Sequence, residues 1–157
     1  MFRQPFKRRP YRHIERRYIV EYVNRRFPER IATFYNMRLG PAPAELYKRY
    51  PELPESYFKV WMPTADAVVV TKTHIYVVEA KIRNPRQGLG QLQDYVRRVP
   101  YTRELKRFMP RPVEAILVIP LKDPELEKTC VAYGIVVDYY TPGWVIDYLK
   151  EVKLLPR

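Results

Sequence analysis

The sequence predicts an α/β domain, a mixed β-sheet of about five strands flanked by helices. Three observations lead there. Runs of β-branched residues of strand length alternate with stretches of helical period. Two adjacent runs, 66–71 (DAVVVT) and 75–82 (IYVVEAKI), are apolar on both faces, as central strands of a covered sheet are. The chain has 157 residues, 46% of them hydrophobic, which suits one core.

In chain order, the first 11 residues read as a basic, proline-broken arm, and residues 12–157 as a single domain. Tyr11, Ile14, Tyr18, Ile19, Tyr22 and Val23 fall at helical spacing, and Pro28 ends that run. Residues 30–39 alternate as a strand. A proline-rich insertion follows at about 41–64, irregular apart from a turn of helix near 44–50. After the two central strands, Pro85 and Gly88 break the chain. A helix over 89–99 then carries Leu89, Leu92, Val96 and Val99 as its expected core stripe. Residues 113–119 form a fourth strand, and 124–132 a short helix with Pro124 in its first turn. Residues 135–140 give a fifth strand and 144–152 a closing helix.

Composition narrows the function. No apolar run is long enough to span a membrane and no signal-peptide pattern opens the chain, so an intracellular, cytoplasmic protein without a membrane partner is expected. A single cysteine, Cys130, excludes a disulfide framework and cysteine-rich metal sites, and reads as a core residue. His13 and His74 lack zinc-ligand spacing, and Trp61 and Trp144 read as packing residues. The net charge of +12 points to a polyanion. It is concentrated in two patches interleaved with Tyr and Phe. Residues 1–17 hold seven Lys/Arg against Glu15, and residues 83–111 hold eight against Asp94 and Glu104. Candidate phosphate contacts are Arg8, Arg9 and Arg12 in the first patch. In the second they are Arg83, Arg86, Arg97, Arg98, Arg103, Lys106 and Arg107.

The chemistry gathers on the central hairpin. With its turn centred on Lys72-Thr73, Asp66 stands directly opposite Glu79, and opposed Cβ atoms lie about 4.5–5.5 Å apart. Two buried carboxylates so placed stay ionised only with a cation between them, a need that Mg²⁺ meets. Lys81, two residues beyond Glu79, shares its face and could orient a water or steady charge on a phosphate. Read alone, Glu79 and Lys81 would pass for an ion pair at a strand end. Glu15 falls inside the apolar stripe of the first helix, where a carboxylate needs a partner, while Glu21 sits at its rim. A first-turn glutamate favoured by the helix dipole is the plainer reading of Glu15. On the 89–99 helix, Gly88, Gln91, Tyr95 and Arg98 form a stripe to one side of the expected core stripe, so Gln91 and Tyr95 project together.

Asp66, Glu79-Ala80-Lys81, the helix bearing Glu15 and the helix bearing Gln91 and Tyr95 together resemble the PD-(D/E)xK nuclease superfamily. Its members include RecB-type nucleases and archaeal Holliday junction resolvases. The resemblance covers about residues 12–140 and implies the restriction-endonuclease-like fold, with core order αβββαβ. It implies metal binding of Mg²⁺ or Mn²⁺ by Asp66 and Glu79 with support from Glu15, and water activation by Lys81. Gln91 and Tyr95 would complete the catalytic group. Glu15-Arg16 followed by an apolar helix is similar to the resolvase branch, and Gln91 with Tyr95 to the RecB branch. Ala65 stands where the motif has proline. The expected function is therefore a metal-dependent deoxyribonuclease, an endonuclease by preference. One alternative is a resolvase-like homodimer acting on branched DNA, and another a basic nucleic-acid-binding protein without hydrolysis. No residue reads the 2′-hydroxyl, which leaves RNA open beside DNA.

Overall fold

A computed structural model describes residues 11–157. Its order is α1 (Tyr11–Arg26), β1 (Ala32–Arg38), α2 (Ala44–Arg49), β2 (Thr64–Val70), β3 (Ile75–Ala80), α3 (Gln87–Arg98), β4 (Val113–Ile119), α4 (Pro124–Ala132), β5 (Ile135–Tyr139) and α5 (Gly143–Glu151). Short 3₁₀ helices cover Glu55–Trp61, Val99–Tyr101 and Arg103–Phe108. The five strands lie in sequence order across one mixed sheet. β1, β2 and β3 run as an antiparallel meander, whereas β3, β4 and β5 are parallel, connected through α3 and α4.

Helices cover both faces. On one, Leu92, Tyr95 and Val99 of the α3 region and Leu126 and Cys130 of α4 pack on Val68, Val77 and Leu117. On the other, Ile14, Tyr18 and Tyr22 of α1 and Tyr148 and Leu149 of α5 pack on Val69, Val78 and Ile116. β2 and β3 are therefore buried on both sides, which explains their unbroken apolar sequence. The Asp123 side chain caps α4 by accepting from the Leu126 N–H, and Pro124 takes the first turn.

Several expectations change. The arm assigned to residues 1–11 loses Tyr11, which opens α1, and Arg8 and Arg9 lie outside the described residues. The core stripe of α3 is rotated, with Gly88, Leu92 and Tyr95 buried and Leu89 and Val96 only partly so. Gly88 is the reason. A Cβ there would meet Leu117 Cδ1 at 2.5 Å, so the missing side chain lets the helix settle on β4 along that edge. The insertion is not irregular. α2 and the 3₁₀ helix 55–61 enclose a small core of Ala42, Phe58 and Met62, against which Leu46, Tyr47 and Leu53 pack. Trp61 is 61% exposed rather than packed. Trp144 does pack, edge-on to Tyr18, and donates to Glu21. Glu21 also accepts from Arg17 and Tyr140, so it ties α1 to the segment entering α5.

Candidate functional site

The hairpin register places the two central carboxylates. β2 and β3 pair Val70↔Ile75, Val69↔Tyr76, Val68↔Val77 and Ala67↔Val78, so the next step sets Asp66 opposite Glu79. Regular pairing stops there, and the side chains take over. The Asp66 N–H donates to Glu79 Oε1 at 2.9 Å, and the Ala80 N–H donates to Asp66 Oδ2 at 2.9 Å. Each carboxylate thus replaces a lost rung of the ladder and keeps a second oxygen. Glu79 is only 2% exposed, and the Lys81 Nζ stands 4.0 Å from its Oε2.

A residue of β1 explains why the strands part at this point. Asn36 has φ +50°, the left-handed region, in the middle of a strand, and the β1–β2 register places it between Tyr35↔Ala67 and Met37↔Ala65, opposite Asp66. Before Asn36, Ala32 and Phe34 pack into the α3-side core, whereas after it Met37 and Leu39 do, so side-chain alternation slips by one. β2 slips at the same place, from Val70 and Val68 to Ala65. Asp66 occupies the slip. The alternating reading of 30–39 passed over Asn36. The signal was an asparagine, tolerant of the left-handed region, inside an otherwise strand-forming run.

Burial without enough countercharge sets the electrostatics. The Glu79 carboxyl is pushed up from 4.5 to about 9, chiefly by burial and then by the charge of Asp66, with the Asp66 N–H and Lys81 pulling the other way. Asp66 is raised too, by burial, against the Ala80 N–H and Lys81. Two carboxylates in one gap then titrate as a pair. Glu15 approaches from the α1 side, with Oε2 buried and unpaired. It is raised to about 7 by burial and then by Asp66, with Lys81, the Tyr11 hydroxyl and Arg83 opposing. From the α3 side, the Tyr95 phenol is pushed up to about 12 by burial and then by Glu79 and Asp66. Gln91, four residues before it, has a buried Oε1 without a partner. Glu79, Lys81, Glu15 and Tyr95 thus each interact with Asp66, Glu15 from the α1 face of the sheet and Tyr95 from the α3 face.

The donor set fits a hard divalent cation. Asp66 and Glu79 each offer an oxygen not engaged by backbone, the Glu15 oxygen is orphaned, and every donor is oxygen. Among the described residues, no three His, Cys, Asp or Glu side chains converge as a ready-made cage. One or two carboxylates are what Mg²⁺ ordinarily takes from a protein, the rest being water and phosphate oxygen. A small cleft of about 100 Å³, lined by Arg12, Glu15, Arg16, Ile19, Tyr35, Asn36 and Asp66, reaches Asp66 but not Glu79, Lys81, Gln91 or Tyr95.

The basic patches divide into free and committed groups. Arg12 and Arg16 border the cleft. Arg83 lies over the Tyr11 ring and bonds the Tyr148 hydroxyl, and Arg98 is held by Asp94 and the Pro41 carbonyl, so both join elements together. Arg86 and Arg97 make long contacts of 3.7 Å with Asp123 and Asp94. Arg103, Lys106 and Arg107 are exposed on the 3₁₀ helix 103–108. No family model matches the chain, and no curated protein matches it.

Proposed function

We propose that the protein is a metal-dependent nuclease of the PD-(D/E)xK type that hydrolyses phosphodiester bonds of DNA inside the cell. One observation carries the reading: a buried Asp66–Glu79 pair on adjacent strands with the Lys81 ammonium beside it, at a gap in the sheet of an αβββαβ core. Lone buried carboxylates are costly, and a pair is costlier. A fold that keeps both, beside a lysine and an unpaired Glu15 oxygen, spends stability on a site.

Asp66 and Glu79 would hold Mg²⁺ or Mn²⁺, with Glu15 alongside. The chemistry the ion supplies when bound is Lewis acidity toward a phosphate oxygen and a nucleophile available at neutral pH. Lys81, fixed next to Glu79, orients the attacking water and steadies charge that develops on the phosphate. Tyr95 and Gln91 form the α3 wall, and the Gln91 oxygen is a free acceptor there. Arg12 and Arg16 bring a phosphate to the mouth of the cleft without reading bases.

The test is an assay on linear and closed circular DNA with Mg²⁺, Mn²⁺ or EDTA, using wild type, Glu79→Gln and Lys81→Met. Metal-dependent cleavage by wild type, reduced at least about 100-fold in both variants, is expected. Cutting of closed circles identifies an endonuclease. Equal activity in wild type and Glu79→Gln, or no cleavage with any divalent ion, contradicts the proposal.

A further inference from the structure

The proline-rich insertion carries features that the carboxylate site does not use. On the 3₁₀ helix 55–61, Tyr57 is 66% exposed, Val60 75% and Trp61 61%. Large apolar side chains grouped on one short helix of a basic protein mark a contact surface. They are held rigidly. Phe58, between them, is buried with Ala42 and Met62 and meets the Tyr47 ring edge-on. The Leu39 N–H bonds the Pro63 carbonyl across the base of the insertion, and Arg38 bonds the Met62 carbonyl. Near its start, the Gly40 N–H donates to the Thr102 hydroxyl, and Arg98 donates to the Pro41 carbonyl.

An adjacent side of the same helix faces a groove. Ser56 and Lys59, three residues apart and so aligned on a 3₁₀ helix, line a channel of about 480 Å³ with Arg38, Arg103, Tyr35 and Asn36. Glu55, which accepts from the Tyr47 hydroxyl, and Glu104 also border it. Tyr35 and Asn36 border both this groove and the cleft over Asp66, so the two adjoin at β1. A cation-bearing channel beside a helix that exposes Tyr57 and Trp61 suits a phosphate backbone with splayed bases. Only unpaired bases offer their faces to exposed rings, so the surface favours one strand over a duplex.

We propose that the insertion is a stacking platform for unpaired nucleic acid leading into the carboxylate site. Bases stack on Tyr57 and Trp61, and phosphates pass Lys59, Arg38 and Arg103 toward Asn36 and Asp66. The direction of the path rests on the nuclease reading above. The platform's affinity for a single strand does not. The substrate class then becomes DNA with a single-stranded segment, such as a flap, a frayed end or a free strand.

Binding in EDTA separates the two claims, because no cleavage is needed. The full chain is titrated with labelled 12-nucleotide oligo(dT) and with a blunt hairpin duplex, followed by anisotropy. Trp61 emission is read in a Trp144→Phe background. Oligo(dT) should quench Trp61, and Tyr57→Ser and Trp61→Ser, measured with Trp144 intact, should each weaken oligo(dT) binding about tenfold or more. Duplex affinity should change less than about twofold. Unchanged oligo(dT) binding, or equal loss on duplex, overturns the platform. So does a shift from dimer to monomer on gel filtration by the double variant with oligo(dT) binding intact, which would assign the surface to a second copy. Wild type that binds as expected but cuts nothing with Mg²⁺ refutes the nuclease reading and leaves the platform standing.

Discussion

Replacing Glu79 by glutamine should stabilise the protein at neutral pH. Glutamine keeps the oxygen that accepts from the Asp66 N–H but removes the ionisable group. The sign follows from the direction of the shift. Folded Glu79 titrates near 9 and the unfolded side chain near 4.5, so the native state holds a proton that the unfolded state releases over that interval. Stability that is complete below pH 4.5 is then lost as pH rises toward 9, at about 1.4 kcal/mol per pH unit. At pH 7 this amounts to about 3 kcal/mol, which Glu79→Gln does not lose. The raised Asp66 steepens the wild-type decline. Urea unfolding at pH 5, 6, 7 and 8 reads the effect directly. A gain of that size raises the midpoint by roughly 1–2 M at pH 7, shrinking toward pH 5. Wild-type stability that is flat or rising between pH 5 and 8, or a variant less stable than wild type at pH 7, would refute the assignment of Glu79 as a buried, under-compensated carboxylate.

Three further outcomes follow from the same geometry. Mg²⁺ or Mn²⁺ should raise the melting temperature increasingly from pH 6 to pH 8, because the ion competes with the proton on the carboxylate pair. At about 100 times its Kd the shift should be roughly 5–10 °C, and it should vanish in Glu79→Gln. Gly88→Ala should cost about 1–3 kcal/mol in chemical denaturation, since its Cβ would lie 2.5 Å from Leu117 Cδ1 and α3 must lift from the sheet. Asn36→Val should cost about 1–3 kcal/mol and Asn36→Gly much less, because φ +50° is open to glycine and closed to a β-branched residue. Equal losses in the two Asn36 variants would place their origin in a lost side-chain contact instead.

Much of the fold was legible because local signals agreed with tertiary demand. The β-branched runs 66–71 and 75–82 are buried on both faces, and the turn between them fixes the register that faces Asp66 with Glu79. That turn has no glycine, and the reason is visible. The Thr71 hydroxyl accepts from the Thr73 and His74 N–H groups, so the side chain closes the turn without a left-handed residue at Lys72 or Thr73. Less was legible where packing decides. The rotation of α3 depends on how far one glycine lets a helix approach Leu117, which periodicity does not encode. Trp61 is exposed because Phe58 and Met62 fill the small core of the insertion, a choice among neighbouring hydrophobic residues that their pattern leaves open. Positive charge was legible in amount but not in use. Arg83 and Arg98 serve as internal struts, although they lie in the same basic stretch as exposed Arg103 and Lys106.

The proposal that Asp66 and Glu79, with Glu15 alongside, hold one hard cation is tested most directly by a crystal soaked in manganese and measured at the metal's absorption edge. An anomalous peak between Asp66 and Glu79, on the side facing Glu15, is the expected result. A fully substituted crystal with no peak there, or with manganese bound only elsewhere, would contradict the site.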